Sequence, residues 1–356
     1  MTFRTSRTRR ASVALLGTAA AVLALAACST GDDDASSEPG AAAEGFGDIT
    51  LQLSWIFNEE FAGEYVADSE GYFAEAGFDS VTLVPGPSTG VAELLSGTAD
   101  IALSDSVAVG TAIANESAPL KIIGATFQAN PFTILSLGDG GNIAAPEDLI
   151  GKKIGVQDSN TSLFNALLAA NGIDASEVEV VPVQYDPAPL VNGEVDGFVA
   201  YLTNEAITVE MMGLDTVNLP FAENGLPFVA ETFTVTQETL DSQPEMLKAF
   251  LTAEIRGWTD AVADPQLGAD LAMETYGTDL DLDPEKTLAG SEAQNALVTS
   301  ADTEEHGLFV ITEELQEMTI ESLAGAGIEI TADQLFDLSL LEEVYADNPE
   351  LVSYAG

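Results

Sequence analysis

Trp55 and Asn58 stand just past an apolar run, Ile49-Thr50-Leu51-Gln52-Leu53, where the chain turns into a helical pattern over residues 61–69. A tryptophan offers a flat face to a ring, and an asparagine offers both a donor and an acceptor. Similar side chains recur after later apolar runs. Ser88 and Thr89 follow 81–84, Ser104-Asp105-Ser106 follows 100–103, and Gln128 and Asn130 follow 121–127. Asn160-Thr161 follows 154–156, Tyr185-Asp186 follows 178–183, and Tyr201 with Asn204-Glu205 follows 195–200. Hydroxyls and free helix N–H groups at such points suit a carbonyl or a ring nitrogen. A carboxylate at Glu205 can accept two N–H bonds while Tyr201 stacks or donates. Each position also has a purely structural reading: core packing for Trp55, N-capping for Asn58, Ser88, Thr89, Ser104 and Asp105, and a complement to the helix dipole for Glu205. Catalytic and metal chemistry find less support. The sequence has no P-loop, zinc motif or nucleophile elbow, and Asp32-Asp33-Asp34 lacks EF-hand spacing. No metal or cofactor is expected.

The elements that must position these side chains alternate. Strand-like runs at 49–53, 81–84 and 100–103 are interleaved with helical patterns at 61–69 and 91–95, which argues for an α/β fold with a largely parallel sheet. A short echo sharpens this. Leu94-Leu95-Ser96-Gly97-Thr98-Ala99-Asp100-Ile101 and Leu190-Val191-Asn192-Gly193-Glu194-Val195-Asp196-Gly197 share Leu-(Leu/Val)-x-Gly-x-x-Asp. Glycine after the last helical leucine supplies a left-handed cap, and a buried strand begins a few residues later. Two lobes built on similar units are therefore expected. The apolar runs 132–137 and 228–236 are read as crossings between them, which gives lobe 1 as 48–134 plus 233–356 and lobe 2 as 135–232. Beyond the second crossing, helices are expected at 244–262, 267–276, 284–297 and 312–323.

Arg4, Arg7, Arg9 and Arg10 precede an apolar, Ala-rich stretch from Ala11 to Ala27, the layout of a bacterial export signal. Its ending, Leu25-Ala26-Ala27-Cys28, resembles the lipobox of bacterial lipoproteins, in which the cysteine is acylated and becomes the first residue. An uncleaved anchor is the alternative, although the run is shorter than the ~20 residues of a membrane span. Cys28 is the sole cysteine, so intramolecular disulfides and Cys-based metal sites are excluded. Residues 1–27 are thus read as a signal peptide and 28–47, rich in Asp, Ser, Ala and Gly, as a flexible tether. Cleavage would leave six Lys+Arg against 59 Asp+Glu, a net charge of about −53. Nucleic acid is excluded as a partner, because so few cations cannot neutralise phosphates.

Several segments together resemble one family. They are Leu53-Ser54-Trp55-Ile56-Phe57-Asn58, then Phe61-Ala62-Gly63-Glu64-Tyr65-Val66-Ala67, then Gly71-Tyr72-Phe73 with Gly77. Asp148-Leu149-Ile150-Gly151-Lys152-Lys153-Ile154-Gly155-Val156 follows, then Gly193-Glu194-Val195-Asp196, Tyr201-Leu202-Thr203-Asn204-Glu205 and Gly257-Trp258. In this order they resemble the substrate-binding proteins of ABC importers, in the group of pyrimidine-precursor (thiamine biosynthesis), riboflavin and, more distantly, nitrate, sulfonate and taurine binders. The resemblance covers about residues 49–265. It implies a type II periplasmic-binding-protein fold, a ligand held between two lobes, and a permease that recognises the closed form. It also implies a monomer held on the outer face of the cell membrane by lipid on Cys28, with no catalytic role. Trp55, Tyr201 and Phe61 would stack on the ligand, and Asn58, Asn204 and Glu205 would hydrogen-bond.

Pyrimidine-precursor binders and the related pyrimidine synthases often carry histidine where this chain has Phe61. The sole histidine, His306, lies in an acidic segment and reads as solvated, so an enzyme of that type is disfavoured. Oxyanion ligands want cations or dense N–H donors. Lys152 and Lys153 precede a strand, and Lys248 and Arg256 lie in a long helix, which leaves Lys121 as the ambiguous cation. A neutral or cationic heteroaromatic, such as a thiamine-type pyrimidine or riboflavin, is expected over a nitrate-, sulfonate- or taurine-type anion. A ligand-free surface protein is the remaining alternative.

Overall fold

A computed structural model describes residues 45–354. The proposed leader, Cys28 and nearly all of the tether lie outside the described residues. Ten strands run in chain order: β1 Gly47–Gln52, β2 Phe78–Val84, β3 Ile101–Ser104, β4 Leu120–Phe127, β5 Phe132–Leu137, β6 Lys153–Val156, β7 Glu179–Pro182, β8 Gly197–Tyr201, β9 Thr216–Pro220 and β10 Ala230–Thr236. They form two five-stranded sheets, ordered β2-β1-β3-β10-β4 and β7-β6-β8-β5-β9. In the first, β1 pairs parallel to β2 and β3, whereas β10 runs antiparallel to β3 and β4. In the second, β6 pairs parallel to β7 and β8, whereas β5 runs antiparallel to β8 and β9. The antiparallel member of each sheet is the strand that has just arrived from the other lobe.

Both crossing strands belong whole to one sheet. The lobe changes expected at 134 and 232 fall inside β5 and β10 and are corrected here: the chain passes between lobes in the irregular segments 128–131 and 221–229. A strand split between two sheets would leave half its backbone groups without a ladder. The folded chain also begins slightly before Asp48, because Phe46 N donates to Gly77 O (2.9 Å) and its ring packs on Phe78.

The echoed motif does the same work in each lobe. Gly97 and Gly193 both take φ of +70°, the left-handed conformation that glycine adopts without strain. Asp100 and Asp196 then stitch the new strand to its parallel neighbour. Asp100 accepts from Thr50 N at 2.8 Å and returns its own N–H to Thr50 O at 3.0 Å. Asp196 accepts from Lys153 N at 2.9 Å and returns its N–H to Lys153 O at 2.7 Å. Each strand start is therefore fixed by a side chain as well as by the ladder.

Helix Ala62–Ser69 packs against helix Pro244–Ala263 at the back of the first sheet. Their approach needs glycine. A Cβ on Gly257 would lie 2.2 Å from Gly63 O, and one on Gly63 would fall 2.1 Å from the Trp258 ring. The expected helix at 267–276 is α-helical only as Pro265–Leu271 and continues as a π-helical turn, Ala272–Tyr276. Helices Pro284–Val298 and Glu313–Gly325 lie where the sequence places them, and His306 is exposed at the end of Ala301–His306.

Asp100→Ala and Asp196→Ala should each lower stability by about 1–2 kcal/mol, the cost of an orphaned strand N–H. The two losses should add, because the residues lie in different sheets. Urea denaturation of both single variants and the double variant checks this.

Candidate functional site

The carboxyl ends of the parallel strands of both sheets face a common cleft with about 490 Å³ of empty space, part of it open to solvent. From the first lobe come Ser54 and Trp55 after β1, Ser88 and Thr89 after β2, and Ser104 and Asp105 at the end of β3. From the second come Gln157, Ser159 and Asn160 after β6, and Tyr201, Asn204 and Glu205 at the end of β8. Phe132 and Glu231 enter from the first residues of the crossing strands.

The structure therefore brings Trp55, Ser88, Thr89, Ser104, Asp105, Asn160, Tyr201, Asn204 and Glu205 to one place. It does not bring the other sequence candidates there. Asn58 caps the short turn Glu59–Phe61 through Oδ1, which accepts from Glu60 N. Phe61 is fully buried and edge-on to Tyr65, so a stacking role is corrected to a core one. Gln128 is buried with Nε2 donating to Ala125 O, and Asn130 spans the crossing between Leu226 O and Phe132 N. Thr161 is an exposed first residue of helix Thr161–Ala170, and Tyr185 is exposed.

Many polar groups of the cleft are already engaged. Ser88 Oγ donates to Glu93 and accepts from Gly90 N, Ser104 Oγ donates to Thr89 O, and Asp105 caps helix Ser106–Glu116 through Val107 N and Ala108 N, both at 2.8 Å. Asn204 gives Nδ2 to Glu205 Oε1 (3.2 Å) and its Oδ1 accepts from Lys286 Nζ, so it positions Glu205 rather than presenting a free amide. Glu205 Oε2 accepts from Tyr201 N at 2.9 Å. Ser159 Oγ is buried without a partner, a free hydroxyl for a ligand. Trp55 keeps 9% of its surface exposed, so it serves both the core and the cleft.

Glu60 and Glu231, which sequence reasoning did not single out, form the centre of the site. Ser54 Oγ donates to both oxygens of Glu231 at 2.9 and 3.0 Å and lies 3.5 Å from Glu60 Oε1. Tyr201 OH donates to Glu231 Oε1 at 2.9 Å, with its ring held edge-on against Phe132. The φ of Glu231 is +47°, a conformation a branch-bearing residue holds only when its surroundings impose it. Burial raises the Glu60 carboxyl well above its ordinary value, and the Glu231 charge raises it further. Burial likewise pushes Glu231 up to about 7 and Glu205 up to about 7, against the lowering effect of their hydrogen-bond donors, and raises Asp105. A polar signal did exist: Glu231 is the one charged residue in an otherwise apolar and Thr-rich run, 228–236.

Lys286, on helix Pro284–Val298, is the cation the sequence reasoning passed over. Its Nζ pairs with Glu59 Oε1 at 2.6 Å in a nearly buried bridge and reaches across to Asn204 of the other lobe. Lys121 binds the Asp333 carbonyl instead, away from the cleft. Among the described residues, no Lys, Arg or His lines the cleft itself.

The family profile described as "NMT1/THI5 like" matches residues 58–267. The chain belongs to that family. The NMT1/THI5-like match contains Glu60, Glu205 and Glu231 and stops before Lys286. The chain is 25% identical over 241 residues to a riboflavin-binding protein, RibY, of Chloroflexus aurantiacus, covering 64% of this chain and 66% of that one. It is 26% identical over 305 residues to a formylaminopyrimidine-binding protein of Halalkalibacterium halodurans, covering 83% and 84%. Among solved structures, the ligand-binding component of an ABC-type import system from Staphylococcus aureus superposes with a TM-score of 0.63 at 13% identity, covering 84% of this chain and 99% of that one. The fold is thus the two-lobed periplasmic-binding-protein fold.

The raised carboxyls fix the sign of a pH dependence. Glu231 and Glu205 at about 7 and Glu64, also raised by burial, at about 8 keep their protons in the folded state, whereas the unfolded chain releases them near 4.5. Stability from these groups is full below 4.5 and is lost as pH rises through 7–8. Ordinary carboxylates are ionised throughout the upper half of that window, so a loss of about 2 kcal/mol there would lower Tm by roughly 3–6 °C. Differential scanning calorimetry of the ligand-free protein from pH 6 to 9 should show the fall, and Glu231→Gln should flatten it.

Proposed function

We propose that this protein is the extracytoplasmic binding component of an ABC importer, capturing a small neutral or cationic heteroaromatic compound between its lobes and delivering it to a permease. The observation that carries the reading is the composition of the cleft: Trp55, Phe132 and Tyr201 supply ring edges and faces, while Glu60, Asp105, Glu205 and Glu231 supply acceptors, with no cation lining it among the described residues. Such a wall favours N–H donors on a planar ring. The same wall disfavours nitrate, sulfonate and other oxyanions, whose charge would meet buried carboxyls. The relatives' named ligands, riboflavin and a formylaminopyrimidine, are nitrogen heterocycles of this kind.

Capture works by closure. Lys286 and Asn204, and Ser54 and Tyr201 through Glu231, already join the two lobes on either side of the cleft. A ligand that adds contacts to both walls stabilises the closed form by its differential affinity. Removing water from the cleft then strengthens each polar contact. Binding, rather than turnover, fits a site without a nucleophile–base pair. Acylation of Cys28 would keep the loaded protein beside its permease, and the short leader ending in Leu25-Ala26-Ala27-Cys28 supports that anchoring.

Tryptophan fluorescence and thermal shift, screened with riboflavin, thiamine, hydroxymethylpyrimidines, nitrate and taurine, test the reading. A ring compound should bind at micromolar concentration or tighter, and Trp55→Ala should weaken it at least tenfold with the fold intact. A response to the anions alone would overturn it.

A further inference from the structure

Two carboxyl groups share one hydroxyl in a buried wall of the cleft. Ser54 Oγ has a single hydrogen, and both Glu231 oxygens and Glu60 Oε1 lie around it at 2.9, 3.0 and 3.5 Å. Tyr201 OH adds a second donor to Glu231 alone. Glu231 is therefore built as the acceptor of the pair, and nothing comparable is directed at Glu60. Their surroundings offer no countercharge. Glu59 sits beside Glu60 on the same turn, and Glu64 and Tyr65 come from the helix behind it. Asp105 stands at the head of helix Ser106–Glu116, and Tyr201 and Glu205 face the pair from the other lobe. Lys286 spends its charge on Glu59 and Asn204. Two adjacent carboxyls in such a place cannot both be ionised.

The geometry points to an exchange: the cleft takes its ligand as a planar nitrogen cation with an amidinium-like pair of N–H donors, and the ligand displaces one proton held between Glu60 and Glu231. This rests on the ring-binding reading above and names the charge state of the ligand. The balance is simple. Above about pH 7, where Glu231 has ionised, the empty pair carries one proton, on Glu60, and one negative charge; the loaded pair carries two negative charges and the cation, and the proton passes to solvent. The only covalent change is loss of one O–H bond at the pair and its re-formation on a buffer base. Burial, which raises both carboxyls, keeps that proton in place near neutral pH when no ligand is present.

The test uses benzamidine, an aromatic amidinium that keeps its charge throughout the neutral range, in isothermal titration calorimetry against the purified protein. Runs in phosphate and in Tris, whose protonation heats differ, count the protons released. Release of close to one proton per bound benzamidine at pH 8 is expected, with affinity rising up to tenfold per pH unit until the pair loses its proton unaided. Glu60→Gln and, separately, Glu231→Gln should abolish the release and make binding weaker and independent of pH. Benzamidine binding without proton release would overturn the exchange. Failure of benzamidine to bind while riboflavin does would also overturn it and leave the ring-binding reading standing. Proton-coupled benzamidine binding with no response to riboflavin or pyrimidines would support the exchange and count against those ligands alone. If no ring compound binds, both fail.

Discussion

Glu231 is the point on which the site depends. It sits where the chain re-enters the first lobe, and its carboxylate accepts from Ser54 on one side of the cleft and from Tyr201 on the other. The backbone is held there at φ +47°, a cost of about 1–3 kcal/mol that the Ser54 and Tyr201 hydroxyl donors and the flanking ladder must offset. A charged residue at this position would be expensive without those donors. With them, it ties the crossing segment, the lip of lobe 1 and the lip of lobe 2 to a single group. Movement of one lobe against the other would strain the hydrogen bonds that meet at this carboxylate.

The remaining architecture is a duplicated frame that delivers side chains to that point. Each sheet sets one antiparallel strand, the first after a crossing, among four strands that run the other way, and in each the same Gly-x-x-Asp device sets where the central strand begins. Because the two crossing strands are exchanged, β5 brings Phe132 and β10 brings Glu231 to the cleft from opposite directions. Neither sheet is complete until the chain has crossed, since β10 pairs with strands on both its sides in the first sheet and β5 does so in the second. The arrangement keeps the hinge short while holding the polar ends of both sheets toward one volume.

Much of this was legible in the sequence because strand ends are local. A polar residue directly after an apolar run projects beyond the carboxyl end of its strand, and Trp55, Ser104, Asp105, Tyr201 and Asn160 reach the cleft for that reason. The rule fails where a few more residues of loop intervene. Asn58 and Phe61 are turned inward by the Glu59–Phe61 helical turn, and Gln128 and Asn130 are absorbed in pinning the crossing. Tyr185 lies three residues past β7, on the exposed edge of its sheet, and no periodicity in the sequence distinguishes it from Tyr201. Lys286 was illegible for another reason. It meets Glu59 across 227 residues of sequence, and a lysine on a polar helix carries no local sign of burial.

The acidity of the chain divides into two parts that act differently. The surface excess, most of the 59 carboxylates, produces a field that salt screens within about 10 Å, so it sets solubility more than selection. The carboxyls of Glu60, Glu205 and Glu231 are buried and that of Asp105 half-buried, where screening is weak and each interaction is several times stronger than in water. On the proposed reading, an oxyanion entering the cleft would lose hydration and meet no cation in return, whatever the ionic strength outside. A ring that presents N–H groups would instead find acceptors already oriented by Tyr201, Asn204 and Ser54, so the ordering cost has been met by the fold before the ligand arrives. Selection against anions, as proposed, would then reside in the cleft wall and persist in salt that erased the surface field entirely.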